Sequence, residues 1–265
     1  MKKVKISTST LLSYAYVTLC CFLLMLPFLT TFYRSLLSPR KGFTIENYWK
    51  MAGIFWPKVG LSAYLAVITV ALDLILAIPA AFALIRYEFR GKRFLTLLIT
   101  AVWYVPGISY ALAMILALYF FFKPLLNIGA FIATFTCGFL PIMLMSCIVA
   151  FRNLDPAYEE AAMCLGAGKL KTFFYIVLPL IGPGISTGIL LTFILAFNEF
   201  ITSFLLMAPT GIETAPVKVF DDISHAGMHG FIAAEAAILQ IMSLTICFVY
   251  LKILGTRYLR GTVLF

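Results

Sequence analysis

Six long apolar stretches constrain this chain more than any other feature of its 265 residues. Each exceeds the roughly 20 residues that an α-helix needs to cross about 30 Å of hydrocarbon. Only 12% of the residues are charged, against about 25% in soluble domains. The sequence therefore predicts an all-α, polytopic bundle of six transmembrane helices, and excludes a soluble enzyme, a disordered chain and a disulfide-stapled secreted domain. The predicted spans are residues 11–34, 60–86, 94–122, 128–151, 178–206 and 231–254.

Two of these stretches carry local signals. Pro106-Gly107 lies inside the third stretch and predicts a kink there. The first stretch follows Lys2, Lys3 and Lys5, as the apolar region of a signal peptide would. Because its apolar run is long and lacks an A-x-A-like cleavage site, we expect an uncleaved first helix.

Positive charge indicates the orientation. If the N-terminus lies inside, thirteen Lys and Arg residues fall on inner segments and seven on outer segments. This bias favours two cytoplasmic termini. The net charge of +9 comes from short basic clusters between spans, which suits anionic lipid rather than nucleic acid. The six cysteines show no metal-ligand spacing and are interpreted as small apolar residues.

The predicted organisation has three parts and no separate soluble domain. Residues 1–59 form the first helix and an external segment, residues 60–254 form a core with five spans, and residues 255–265 form a cytoplasmic tail. The inner loop at 152–177 belongs to the core. No internal repeat is evident.

This inner loop has the pattern of a short helix followed by a turn. Asp155 can cap a helix with Pro156 at its first position and acids in its early turns. Gly166 or Gly168 would end it, and a second helix would lead into the next span. On these grounds alone the loop could dock on a cytoplasmic partner or lie on the lipid surface.

Glu160-Ala161-Ala162, with Gly166, Ile176 and Leu178-Pro179 at the following spacings, resembles the complete "EAA" signature. That signature belongs to the membrane permease subunits of binding-protein-dependent ABC importers. The resemblance covers roughly residues 60–250, including the Arg-Tyr-x-Phe-Arg-Gly-Lys run at 86–92. It implies a type I ABC importer (MetI-like) permease fold in a bacterial inner membrane.

The resemblance also implies partners and roles. The partners would be a second permease subunit of different sequence, two ATPase subunits and an external substrate-binding protein. The helix at 156–165 would be the coupling helix, seated in the ATPase and moved when ATP closes the ATPase pair. The residues implied in ATPase coupling are Asp155, Glu159, Glu160, Ala161, Ala162, Leu165 and Gly166.

No ATP site is expected in this chain. Gly166-Ala167-Gly168-Lys169 resembles part of a phosphate-binding loop, but Met163 and Leu170 stand where Gly and Ser or Thr are required. The resemblance places ATP and Mg²⁺ on the separate ATPase subunits. This chain is therefore expected to be a non-catalytic subunit without a cofactor.

Three acids fall inside the predicted spans, where an ionisable side chain is costly and marks a functional site by default. Asp73 lies near the middle of the second span, and Glu199 and Glu235 lie towards the outer ends of the fifth and sixth. We expect a substrate path formed by Asp73, Asn198, Glu199, Glu235 and Phe197 that favours a cation. The alternative is that these groups bond to neighbouring helices.

Two further patterns lie in and after the fifth span. Phe193, Phe197, Phe200 and Phe204 recur on one helical face, which suits packing or a cation–π lining. His225 and His229 have the i, i+4 spacing of metal ligands, but no third ligand is evident, and no metal is expected.

Within the family, the Phe197–Phe204 run resembles the second permease of spermidine/putrescine-type importers. A polyamine or related cationic amine is therefore the expected substrate, and an aminophosphonate, iron, thiamine or a sugar are the alternatives. An intramembrane enzyme would need a convergent catalytic set within the spans. An independent channel or secondary transporter would usually show internal repeats.

Overall fold

The computed structural model describes residues 8–38, 42–123, 127–227 and 229–252, with side chains from Leu12 onward. The predicted 255–265 tail and the basic residues Lys2, Lys3 and Lys5 lie outside these ranges. The described helices are α1 Thr8–Ser35, α2 Glu46–Arg86, α3 Lys92–Ala101, α4 Gly107–Phe121, α5 Ile128–Arg152, α6 Ala157–Cys164, α7 Lys169–Thr172, α8 Leu178–Phe197, α9 Ile201–Thr210, α10 Ala215–Ala226 and α11 Gly230–Tyr250.

Three short elements complete the described fold. A two-stranded antiparallel hairpin joins β1 Leu37–Ser38 to β2 Gly42–Phe43. A 3₁₀ turn at Val102–Tyr104 follows α3. A π turn at Phe173–Val177 joins α7 to α8, so that Lys169–Phe197 forms one span.

Five of the described helices are long and apolar enough to cross a membrane, and the bent pair of α3 and α4 makes a sixth. This confirms the predicted all-helical transmembrane bundle, and the predicted number of six spans is reached when the bent pair counts as one span. The bend between α3 and α4 is 109° and falls at Val105-Pro106, where a kink is predicted. Proline causes the break because it has no N–H to donate to the preceding turn.

Two spans differ from the prediction. The second begins at Glu46 rather than near residue 60, because Thr44 Oγ1 accepts a 3.1 Å hydrogen bond from the Glu46 N–H and Glu46 pairs with Lys50 at 3.1 Å. The fifth does not run unbroken to residue 206, since α8 ends at Phe197 and α9 begins at Ile201.

The described chain forms two compact units, Met1–Trp56 with Val219–Met242 and Pro57–Lys218 with Ser243–Phe265. In the first, the buried Asn47 amide donates to the carbonyl oxygens of Ser35 at 2.7 Å and Leu37 at 3.0 Å. Gly230 lies directly against the Leu37 carbonyl and the Asn47 side chain. These contacts fix the start of α11 against the hairpin and leave no room for a larger residue at 230.

The second unit has its core where α5 packs along α8. Phe82 of α2 makes edge contacts with Phe151 and Phe173, at ring separations of 5.7 and 5.6 Å. The buried core residues of this unit are Val70, Ala77, Ala81, Leu84, Met143, Leu144, Cys147, Ile148, Ala150, Phe151, Leu154, Val177, Ile181 and Ile185. This core holds α2, α5 and α8 together and positions the loop between α5 and α8.

Candidate functional site

The loop between α5 and α8 contains the predicted helix, α6, with the predicted cap. Asp155 Oδ1 accepts a 2.9 Å hydrogen bond from the Ala157 N–H, and Glu159 and Glu160 lie in the first turn. Acids at this end are favoured by the helix dipole. The helix runs from Ala157 to Cys164, which confirms its predicted position.

Gly166 ends this helix in the left-handed conformation, with φ of 88°. The Gly166 N–H bonds to the Met163 carbonyl at 2.9 Å, and the Ala167 N–H bonds to the Ala162 carbonyl at 3.0 Å. This pair of bonds is a Schellman motif, which favours glycine because a Cβ is strained at positive φ. Gly166 therefore permits the turn that sequence analysis assigned to it.

The loop residues divide between an inward and an exposed set. Ala162 is buried, and Glu159 is mostly buried and forms an ion pair with Arg86. Leu165 is 89% exposed, and Asp155, Glu160 and Ala161 are also exposed. Further exposed apolar side chains on the loop are those of Tyr158, Met163, Leu170, Phe174 and Tyr175.

The two interrupted spans meet at one cavity of about 250 Å³ in the second unit. The 105–106 break contributes Trp103, Val105 and Gly107, and the 198–200 break contributes Glu199, Ile201 and Thr202. Gly107 faces Ile201, so the starts of α4 and α9 lie together. Non-helical backbone at membrane depth is tolerated where it is buried in protein or lines a water-filled cavity. The remaining lining residues are Val102, Tyr110, Thr134, Phe135, Gly138, Phe139 and Leu195.

Glu199 shows one feature of each of its two predicted roles, a bond to a neighbouring helix and a place on the substrate path. Its Oε1 accepts a 2.9 Å hydrogen bond from the Thr202 N–H, which caps α9. The same side chain lines the cavity. One carboxylate can do both, because it has about four lone-pair sites and the cap occupies one of them.

Asn198 and Phe197 lie beside this cavity without being among its lining residues. Asn198 is exposed, and its amide donates to the Ile194 carbonyl at 2.9 Å and to Ser243 Oγ at 3.0 Å. Phe197 is buried and stacks on Phe193. The predicted single phenylalanine face is wrong, because the break divides it into this pair and a Phe200–Phe204 pair.

Asp73 is completely buried on α2, and neither carboxylate oxygen has a hydrogen-bond partner among the described residues. Thr69, one turn earlier, is also buried, and its hydroxyl has no hydrogen-bond partner among the described residues. Glu235 is buried on α11. A buried charge without a partner is expensive, so this burial favours the functional role expected for Asp73, which stays a prediction.

Three groups at these sites were not predicted from the sequence. Tyr110 donates a 2.6 Å hydrogen bond from its hydroxyl to the Thr134 carbonyl at the cavity wall. Arg86 holds Glu159. Gly184 and Gly188 place α8 against α5, and their small-xxx-small spacing is a signal that could have identified them. Nothing in the local sequence pairs Arg86 with Glu159, 73 residues later.

The histidine pair gives no metal centre among the described residues, which contain no cluster of three or more metal-ligating side chains. His225 Nδ1 instead lies 2.9 Å from the Asp221 carbonyl oxygen and 3.3 Å from Asp221 Oδ1. Both contacts lie within one turn of α10.

A bundle of apolar helices with two interrupted spans and an exposed helix between two others defines a polytopic membrane protein. Residues 73–258 match the family described as "Binding-protein-dependent transport system inner membrane component". The match takes in more than half of the chain, and the chain belongs to this family. This confirms the resemblance to ABC importer permease subunits.

Relatives with different substrates in their names are similar to the chain. The putrescine transport system permease protein PotI of Escherichia coli K12 is 33% identical over 174 residues, 62% of this chain and 60% of the relative. The trehalose/maltose permease MalG of Thermococcus litoralis is 29% identical over 225 residues, 82% and 78% of the two chains. The spermidine/putrescine permease PotC of E. coli K12 is 27% identical over 183 residues, 69% and 68% of the two chains. The chain thus spans 60% of the length of the putrescine permease.

Two solved structures share the fold. A bacterial ABC transporter involved in import of the acidic polysaccharide alginate matches with a TM-score of 0.70 at 18% identity, covering 97% of this chain and 99% of that chain. The MetNI methionine ABC transporter, in inward-facing conformations, matches with a TM-score of 0.65 at 16% identity, covering 78% and 97%. These likenesses establish the MetI-like permease fold.

Proposed function

We propose that this chain is a permease subunit of an ATP-driven importer that moves a small solute across the inner membrane. Its partners are a second permease subunit, two ATPase subunits and an external substrate-binding protein. The observation that carries the proposal is the exposed surface of α6 and the residue after it, which combines the EAA residues Glu160 and Ala161 with Leu165. The family match supports the same assignment.

An exposed apolar group on a loop between spans needs a surface to cover it. Leu165 and Leu170 lie on either side of the turn at Gly166. They are 89% and 76% exposed, so no other part of the described chain covers them. Contiguous exposed apolar residues mark protein or membrane contact sites. Ala161 adds a small side chain that lets a partner surface approach closely. A groove on an ATPase subunit would cover these exposed apolar side chains and fit closely against Ala161. The alternative is that the loop lies against the lipid surface.

The proposed substrate is a polyamine or related cationic amine. Glu199 supplies a carboxylate at the wall of the cavity where both interrupted spans meet, and Trp103 and Tyr110 supply aromatic rings beside it. Carboxylates and aromatic faces both attract ammonium groups. The putrescine permease named above supports this class.

A sugar is the second candidate, favoured by the greater coverage of the trehalose/maltose permease. Aromatic rings and the Thr134 and Thr202 hydroxyls also line the cavity, as a sugar site would require. The carboxylate discriminates the two candidates. Removing its charge should impair uptake of an amine and leave uptake of a neutral sugar nearly unchanged.

Affinity purification through a tag on this chain tests the importer assignment. An importer complex should bring down a P-loop ATPase in the presence of mild detergent, and proteoliposomes of that complex should take up radiolabelled putrescine only with ATP and the binding protein. Uptake of labelled maltose instead would select the sugar class. A chain that purifies without an ATPase would contradict the assignment.

The proposed topology places both termini in the cytoplasm and α6 on the cytoplasmic side. The excess of inner Lys and Arg residues supports it. Fusion of alkaline phosphatase and of green fluorescent protein after residue 265 tests it, since only the fluorescent fusion should be active. An active phosphatase fusion would show that the C-terminus lies outside and that the orientation is the opposite one.

A further inference from the structure

The ion pair between Arg86 and Glu159 joins two helix ends that are far apart in sequence. Arg86 is the last residue of α2, and Glu159 lies in the first turn of α6. Glu159 Oε1 accepts from Arg86 Nε at 2.8 Å and lies 2.6 Å from Arg86 Nη2. The same Nη2 donates to the Leu154 carbonyl at 3.3 Å, just before α6 begins. One guanidinium thus holds both the helix and its entry.

The surroundings make this contact stronger than a surface pair. The side chains of Arg86 and Glu159 are only 16% and 15% exposed. A cation is favoured at the C-terminus of α2 and an anion at the N-terminus of α6, so both helix dipoles support the pair. Charge-assisted hydrogen bonds from a guanidinium fork also fix orientation, which a single point charge would not.

Helix α2 carries this contact into the membrane. It is continuous from Glu46 to Arg86 and includes Asp73. Thirteen residues at about 1.5 Å each place Asp73 roughly 20 Å from Arg86 along the helix. A displacement of α6 that is transmitted to the end of α2 can therefore reach the buried carboxyl.

We propose that Arg86 is a positioning residue that locks the coupling helix α6 to α2, so that ATP-driven movement of α6 moves α2 and Asp73 with it. This inference rests on the proposed importer function. The backbone already connects α6 to α5 and to the α7–α8 span, and the Arg86–Glu159 contact adds α2 as a further element that follows α6. Its loss leaves the ATPase docked and active but transport poorly coupled to it.

The test measures transported putrescine per ATP hydrolysed in proteoliposomes of the complete complex. The variants are Arg86→Gln, Glu159→Gln and the exchange Arg86→Glu with Glu159→Arg. The matched control is the pair between Glu88, in the loop after α2, and Lys92, the first residue of α3. Its separation is a similar 2.8 Å, but its Glu88 side chain is 90% exposed. Glu88→Gln and Lys92→Gln should leave the ratio unchanged.

We expect each single Arg86 or Glu159 variant to assemble and to lower the ratio by roughly three- to thirtyfold, the range of measured long-range coupling effects. The exchange should return it to within about threefold of the wild type, since the pair is restored while both dipoles oppose it and the bond to the Leu154 carbonyl is lost. If the single variants do not assemble, the exchange variant decides alone. If the exchange variant transports nearly as much putrescine per ATP as the wild type, the lock is supported. If it assembles but transports much less per ATP, the lock is overturned.

Two outcomes distinguish failure of this inference from failure of the proposed function. Unchanged coupling in Arg86→Gln, in a complex whose wild type transports, would overturn the lock alone. A wild-type complex that hydrolyses ATP without moving putrescine, maltose, an aminophosphonate, iron or thiamine would overturn the importer assignment, and the lock with it.

Discussion

Gly184 lies so close to Ala150 that a Cβ atom at position 184 would stand 2.6 Å from the Ala150 Cβ and 3.1 Å from its Cα. One turn later, a Cβ at Gly188 would stand 2.7 Å from the Ser146 Cβ. Small residues on both helices therefore let α5 and α8 touch at backbone distance. Between apolar helices in lipid, such close packing replaces the hydrophobic effect as the source of association.

Gly188→Leu should destabilise the fold, because the new side chain can be accommodated only if α5 and α8 separate. We expect a loss of about 1–3 kcal/mol or more, typical of overpacking, seen as a lower midpoint of thermal unfolding in detergent. Gly182→Leu is the matched control, since nothing lies within 4 Å of a Cβ there. Equal midpoints for the two variants would contradict the packing described.

Glu199→Gln should separate the two functions of Glu199. A glutamine carbonyl can still accept from the Thr202 N–H, so α9 stays capped while the charge at the cavity is lost. Putrescine uptake should fall about tenfold, equivalent to about 1.4 kcal/mol, with assembly unchanged. Glu88→Gln, an exposed acid outside the cavity, is the control. Normal putrescine uptake by Glu199→Gln would exclude a role for the charge.

Asp73→Asn should lower putrescine uptake without lowering the midpoint of thermal unfolding. The carboxyl is completely buried without a partner among the described residues, and an Asp in a span costs at least about 2.5 kcal/mol on insertion scales. Thr69→Val, one turn away and also buried, changes packing polarity without changing charge. A lower unfolding midpoint for Asp73→Asn would show that the carboxyl stabilises the fold instead.

Gly166→Ala should weaken the turn after α6. A side chain at φ of 88° costs about 1 kcal/mol, although space for the methyl group is open. Uptake should fall more than ATPase activity, because α6 is held less firmly. Gly168→Ala is the control, since Gly168 has φ of −71° and equally open space. Identical behaviour of the two variants would mean that the left-handed turn is unimportant.

Leu165→Asp should release the ATPase without unfolding the permease. The side chain is 89% exposed, so the change costs the isolated chain little, while a charge in an apolar interface is unfavourable. The ratio of ATPase to permease after affinity purification measures the effect. Phe89→Asp, a change at an exposed apolar residue in the 87–91 loop outside the spans, serves as the control for an added charge. Retention of the ATPase by Leu165→Asp would remove Leu165 from the interface.

Sequence patterns predicted the features that depend on neighbours along the chain. The apolar stretches, the break at Pro106 and the helix that ends at Gly166 all follow from local propensity and capping. The break at Asn198–Phe200 was missed because the phenylalanine spacing continues across it without interruption. There the Glu199 side chain stabilises a new helix start, which periodicity does not register.

Contacts between distant residues were beyond sequence patterns. Glu159 was assigned to the ATPase surface with Glu160, yet its carboxylate lies on Arg86 within the same chain. Only the fold brings these residues together. Whether Glu159 also contacts an ATPase stays a prediction.

The π turn at Phe173–Val177 is a place where the chain can lose one residue without disturbing the helix that follows. Its hydrogen bonds span five residues instead of four, so it holds one residue more than an α-helical turn in the same span. Deleting one residue there would restore a regular helix and keep Gly184 facing Ala150. The same deletion after Pro179 would rotate the rest of α8 by about 100° and turn its glycines away. The loss of a single residue can thus be absorbed on one side of Leu178 and not on the other.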